Sequence, residues 1–141
     1  MENPHFSSPQ IDGRQQLAQR AADCMMRSLG ASLVSLRIAE PSSGDINNQL
    51  GITTPTVEDV PLSPAVIVAV SAPHEPVTRY EVRLSAASVQ QAASMYQVAD
   101  MATWLLTAVG LVYGDRVLQI DSVLVDQYAG AEYLYRVFVS E

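Results

Sequence analysis

Two β-rich runs near the C-terminus dominate the hydrophobic pattern of the chain. Arg116–Val125 and Glu132–Val139 flank a short connection through Tyr128, Ala129 and Gly130. Two such runs around a Gly-containing connection predict a β-hairpin. A hairpin with one solvated face alternates apolar and polar residues, but this one carries apolar side chains on both faces. We therefore expect cover on both faces, one by the chain's own helices and the other by a contact surface.

A turn centred on Ala129 predicts how the two strands pair. The expected pairs are Ile120 with Phe138 and Leu124 with Leu134 on one face, and Val125 with Tyr133 and Val123 with Tyr135 on the other. The second face supplies candidate interface residues, namely Val123, Val125, Tyr133 and Tyr135. The same register places Asp126 opposite Glu132. That carboxylate pair is expected to hold a cation, to raise the pKa of one of its carboxylates, or to form only a solvated loop end.

Two segments show helical periodicity. The first is capped by Ser8-Pro9 or Asp12 and runs to about Leu29, with Gly30 as its stop. Its apolar face comprises Leu17, Ala21, Cys24, Met25 and Ser28. We expect this face to lie on the core, with Cys24 packed as a small hydrophobe.

The second helix is predicted from Ser88 to about Val109. At 100° per residue, Trp104 lies about 200° from Ala102 and falls on the polar side. Three interpretations stay open for Trp104: cover by its own chain, an anchor in a subunit or partner contact, or simple exposure. Because Trp is enriched at interface hot spots, it is a further interface candidate.

The remaining apolar runs predict three strands, at Ser32–Ala39, Ala65–Ala72 and Val77–Ser85. A long loop, Glu40–Ser63, joins the first two. Its large apolar residues argue for order against the body or a neighbouring subunit; they are Leu50, Ile52, Val57, Val60 and Leu62. Leu50 and Ile52 are therefore also interface candidates.

This element order predicts an α+β fold, a mostly antiparallel sheet of about five strands packed by two helices. The length of 141 residues predicts a single domain spanning residues 1–141, with a flexible arm at 1–8 and the long loop at 40–63.

Charge narrows the choice of partners. The net charge is −7, with eight Arg and no Lys, so neither direct nucleic-acid binding nor a polybasic membrane anchor is expected. Only 16% of residues are charged, below the ~25% of soluble domains, which indicates either surface hidden in an assembly or a neutral polar exterior. A single cysteine excludes an internal disulfide. No signal peptide and no membrane span are predicted, so the expected location is the cytoplasm.

The sequence contains no recognised catalytic or binding motif. A chain without Lys has no Walker A or Schiff-base lysine, and it contains neither G-x-G-x-x-G nor G-x-S-x-G. His5 and His74 are isolated, so no metal site and no cofactor are expected.

The element order resembles that of small neck and tail-completion proteins of tailed phages, including tail terminators. The resemblance lies in the helix ending at Gly30, the loop Glu40–Ser63, the strand pair Ala65–Ser85, the helix Ser88–Val109 and the terminal hairpin. It implies a ring-forming structural protein of a phage or phage-like particle.

We therefore expect a non-enzymatic assembly protein that acts as a homo-oligomer or within a larger protein assembly. The alternative is a small-ligand-binding or enzymatic domain whose pocket is lined by the terminal hairpin, with polar tips from Tyr113, Tyr133 and Tyr135.

Overall fold

A computed structural model describes residues 13–29, 32–39, 56–70 and 73–141. The described helices are α1 (Gly13–Ser28), α2 (Ala86–Ala93) and α3 (Met101–Thr107), with a 3₁₀ turn at Ser94–Tyr96. The strands are β1 (Ser32–Ala39), β2 (Val57–Ala69), β3 (Arg79–Ser85), β4 (Gly110–Tyr113), β5 (Arg116–Tyr128) and β6 (Ala131–Ser140). The predicted arm 1–8, both candidate caps of the first helix, Gly30, Leu50 and Ile52 lie outside the described residues.

The six strands form a closed antiparallel barrel in the order β1-β2-β3-β6-β5-β4, and β4 pairs with β1 to close it. The prediction of a five-stranded sheet packed by two helices is therefore wrong. Closure gives each of the described strands two neighbours, so none of these strands lies at the edge of the sheet. One face of each strand then points into the barrel, where the other strands bury it without a separate layer of helices.

The strand absent from the sequence prediction is β4, which has only four residues and begins at Gly110. Four residues are too few for a periodic pattern to stand out. Gly110 is required here because a Cβ would lie 2.8 Å from the Leu118 carbonyl oxygen of the neighbouring β5. The β4–β5 turn uses Gly114 at a φ of +63°, a conformation that glycine adopts without strain.

The predicted loop Glu40–Ser63 is also shorter than expected, because β2 already begins at Val57. Residues Val60 and Leu62 are buried and pair with Leu36 and Val34 of β1. Pro61 lies inside this part of β2, and together with Pro41, Gly44, Gly51 and Pro55 it favours a loop in the sequence pattern.

Inward-facing aliphatic residues fill the barrel. The strand predicted at Ser32–Ala39 is present as β1, and its alternate residues Val34, Leu36 and Ile38 are all buried. Val89 of α2 and Leu105 of α3 belong to the same buried cluster as the strand residues. The two short helices therefore cover the barrel core.

The terminal hairpin is present, but its predicted register is wrong. Ala129 and Gly130 form a two-residue turn with φ of 51° and 83°, as a type I′ hairpin turn requires. Irregularities between Ile120 and Ser122, and again between Asp126 and Gln127, shift the pairing. Val125 consequently pairs with Tyr135, and Asp126 pairs with Leu134 rather than with Glu132.

The second predicted helix is broken into two. Its first half begins at Ala86 rather than at the predicted Ser88, and the Ser85 hydroxyl caps it by accepting from the Ser88 amide. Gln97 has a φ of 54°, and α3 restarts after Asp100. This break rotates the second half relative to the first, which removes the conflict that Trp104 posed for a continuous helix.

Candidate interaction surfaces

Helix α1 faces the barrel with the side opposite to the one predicted. Met26 is its one buried residue, and Ala18, Gln19 and Ala22 are half-buried on the same side. The predicted core-facing residues are exposed, including Cys24. The predictions that this face lies on the core and that Cys24 is packed are therefore wrong.

Polar tethers explain the orientation of α1. The side-chain amide of Gln19 donates to the Glu132 carbonyl oxygen at 3.0 Å, and that of Gln15 donates to the Ala129 carbonyl. The Ser85 hydroxyl donates to Asp23 Oδ1 at 2.9 Å. These bonds satisfy backbone and side-chain groups at the hairpin turn and at the end of β3, while the small Ala18 and Ala22 permit close contact.

Four residues, Leu17, Ala21, Met25 and Leu29, form an outward-facing line that we call the α1 stripe. The three large side chains are 68%, 60% and 63% exposed at Leu17, Met25 and Leu29. A spacing of four residues aligns side chains into one ridge of a helix, the feature that packs into grooves of another element. A hollow of about 350 Å³ beside the stripe is lined by Leu17, Ala21 and the exposed Tyr128.

Helix α1 is positively charged in an acidic chain. It carries Arg14, Arg20 and Arg27 against Asp23, a net charge of +2, whereas the whole chain carries −7. All three arginines are exposed, and Arg27 pairs with Asp23 at 2.9 Å. The α1 stripe is thus an apolar ridge flanked by cations.

The hairpin face expected at an interface turns toward the barrel core. Val123 and Val125 are half-buried and pack against the core cluster, and Tyr133 is half-buried. The irregularity after Ile120 places Ile120 and Val123 on the same face. Leu124 points outward instead and is 47% exposed.

Tyr135 lies inside the barrel and is fully buried. Its hydroxyl donates to Glu132 Oε2. Burial is the larger cause, and the hydrogen bond to Glu132 the smaller one, that raise the pKa of the Tyr135 phenol well above its usual value. A phenol so placed holds its proton and serves as a structural hydrogen-bond donor.

Trp104 is half-buried by its own chain. Its ring stacks on Tyr96 with centroids 5.9 Å apart and packs against the core cluster. The Tyr96 hydroxyl donates to Glu58 Oε1 at 2.8 Å, which raises the pKa of Tyr96. The stack therefore ties α3 to β2 through the 3₁₀ turn.

Charged residues form a cross-strand network on the outer face of β3, β6 and β5. Arg136 Nη2 donates to Asp126 Oδ1 at 3.1 Å, and its Nη1 lies 3.8 Å from Glu81 Oε1. Arg83 also contacts Glu81 at 3.4 Å. Asp126 is thus engaged by Arg136 rather than by Glu132, so the predicted carboxylate pair is not formed.

A groove of about 650 Å³, which we call the end groove, lies where β3 begins and β6 ends. Its apolar walls include Val70, Val77 and Phe138. Charged side chains line the groove as well: Glu75, Arg79, Asp121 and Glu141. Arg116, beside the groove, pairs with Glu141.

Among the described residues, no group of three or more His, Cys, Asp or Glu side chains is placed to hold a metal ion. In the same part of the chain, no helix is long and apolar enough to cross a membrane. No protein-family model, curated protein or solved structure matched the chain.

Proposed function

We propose that this protein is a non-enzymatic structural protein that works by assembling through protein–protein contacts, as a homo-oligomer or within a larger particle. The observation that carries this proposal is the exposed α1 stripe. Single exposed hydrophobic residues are normal, but contiguous apolar patches on a surface mark interaction sites. Burial of the stripe against a partner would stabilise the complex by about 25 cal/mol for each Å² of apolar surface removed from water.

The partner is a protein rather than a nucleic acid. The chain is acidic, and four of the five arginines outside α1 are paired with carboxylates: Arg37, Arg83, Arg116 and Arg136. Arginines held in ion pairs are poorly placed to neutralise a row of phosphates.

The particle that we propose is phage-like, on the basis of the resemblance in element order to tail-completion proteins. We propose the cytoplasm as the place of assembly, because an exposed thiol such as Cys24 persists in a reducing compartment. Genes for other virion proteins adjacent to the gene for this chain would support that context, and a neighbourhood of unrelated metabolic genes would oppose it.

Light scattering coupled to size-exclusion chromatography tests the assembly function directly. We expect the mass of the wild-type protein to exceed that of one chain and to rise with concentration. A chain that stays monomeric at high micromolar concentration and recruits no partner would contradict the proposal.

A further inference from the structure

We propose that the α1 stripe of one copy docks into the end groove of a second copy, so that the chains join head to tail. This inference rests on the proposed assembly function and specifies the partner and the two surfaces. The occupant is another molecule of the same chain because the two surfaces match in both polarity and charge.

Polarity is the first match. The α1 stripe is a convex ridge of large apolar side chains, and the end groove is a concave surface with apolar walls. Val70 and Val77 of the groove are 46% and 39% exposed, so they have surface to bury. A hollow of about 650 Å³ has room for several side chains of a docked helix.

Charge is the second match. Three carboxylates and one arginine line the end groove, a net charge of −2: Glu75, Asp121 and Glu141 against Arg79. Arg116 lies beside the groove and pairs with Glu141. Helix α1 carries a net charge of +2. Opposite potentials on facing surfaces steer association and set its register, whereas like charges oppose it.

The same charges disfavour a symmetric contact between two α1 helices. Such a pairing would bring the exposed Arg14 and Arg20 of one copy against those of the other. An isologous contact uses one patch on both subunits, so the patch must complement itself. The α1 stripe, flanked by arginines, does not complement a second copy of itself.

The positions of the two surfaces fit a head-to-tail contact. Helix α1 is tethered beside Glu132 and Ser85, near the start of β6 and the end of β3. The end groove includes Arg79 and Ser140, which pair at the other end of the same two strands. Six residues of strand separate Leu134 from Ser140, about 20 Å along the barrel. Contacts between different patches of identical chains produce a ring when the rotation closes and a filament when it does not.

Two full-length variants test this arrangement. The stripe variant carries Leu17→Glu and Arg20→Glu and keeps an intact groove. The groove variant carries Val77→Arg and Asp121→Arg and keeps an intact stripe. Met95→Glu is the matched control, because Met95 is an equally exposed apolar residue that belongs to neither surface.

Sedimentation velocity of each protein alone and of an equimolar mixture gives the readout. We expect each surface variant to be monomeric alone, the mixture to form a 1:1 dimer that grows no further, and Met95→Glu to assemble like the wild type. A groove variant that assembles alone would overturn the head-to-tail contact, as would two variants that both assemble normally, while the assembly function would stand. A stripe variant that unfolds more easily but associates normally would show that the stripe is covered by its own chain, which also overturns the inference. A monomeric wild type would overturn both proposals.

Discussion

At the scale of single residues, the buried phenol of Tyr135 makes the stability of the fold depend on pH. Because its pKa is raised in the folded state, the unfolded chain ionises this group first as pH rises. The stability that Tyr135 contributes is therefore fully present below about pH 10, the ordinary tyrosine pKa, and is lost as the pH rises above that value.

We predict that the free energy of unfolding falls more steeply above about pH 10 in the wild type than in Tyr135→Phe. The difference in slope should approach about 1.4 kcal/mol per pH unit for one group. Urea titrations at a series of alkaline pH values measure it. Equal slopes for both proteins would show that Tyr135 ionises freely in the folded state.

Ala129 has a backbone conformation that alanine rarely adopts. Its φ of 51° lies in the left-handed region, where a Cβ is crowded and where Asn is enriched. We predict that Ala129→Asn raises the free energy of unfolding by about 0.5–1 kcal/mol, since it provides the residue that type I′ turns prefer. Thermal and urea unfolding check this. A decrease with Asn would mean that the hydrogen bond from Gln15 to the Ala129 carbonyl depends on the present turn geometry.

At the scale of elements, Gly110 controls the closure between β4 and its neighbours. A Cβ there meets the Leu118 carbonyl oxygen at 2.8 Å, which is backbone and cannot move aside cheaply. We predict that Gly110→Ala lowers the free energy of unfolding by about 1–3 kcal/mol.

Gly13→Ala is the matched control for Gly110→Ala, because nothing lies within 4 Å of the added carbon at the start of α1. It should be neutral or slightly stabilising, as Ala favours helix more than Gly does. Urea denaturation measures the free energy of unfolding of both variants. An equal decrease in both would contradict a steric role for Gly110.

Trp104 tests how α3 is attached. Its half-buried ring stacks on Tyr96, so Trp104→Ala should lower the free energy of unfolding by about 2 kcal/mol, less than for a fully buried Trp. Association should be unchanged. Leu106→Ala on the same helix is the control, because Leu106 is 47% exposed and should cost less. Near-native stability with weakened association would instead make Trp104 an interface anchor.

Sequence patterns identified five of the six strands, but they did not identify the barrel. The apolar character of both hairpin faces predicts cover on both, but one face turns into the barrel, and Leu124 on the other face is 47% exposed. The register depended on local irregularities near Ile120 and Asp126, which carry no Gly or Pro to mark them. The break at Gln97 had one sequence signal, an Asp three residues later that could begin a new helix.

At the scale of the whole molecule, the sequence pattern shows which residues make up most of the α1 stripe, but not that the stripe faces away from the barrel. Periodicity correctly placed Leu17, Ala21 and Met25 on one face of a helix. Which face meets the barrel was decided by tethers from Gln15, Gln19 and Asp23 to distant residues, and periodicity carries no information about such partners. The end groove joins residues from four separate segments, so it appears only once the barrel closes.

We propose that the α1 stripe, which is exposed in the single chain, is buried in an assembly. Sedimentation velocity of the wild type, Leu17→Glu with Met25→Glu, and Met95→Glu tests this claim most directly. We expect a concentration-dependent assembly for the wild type and Met95→Glu, and a folded monomer of undiminished stability for the stripe double variant. Identical sedimentation of all three proteins would contradict it.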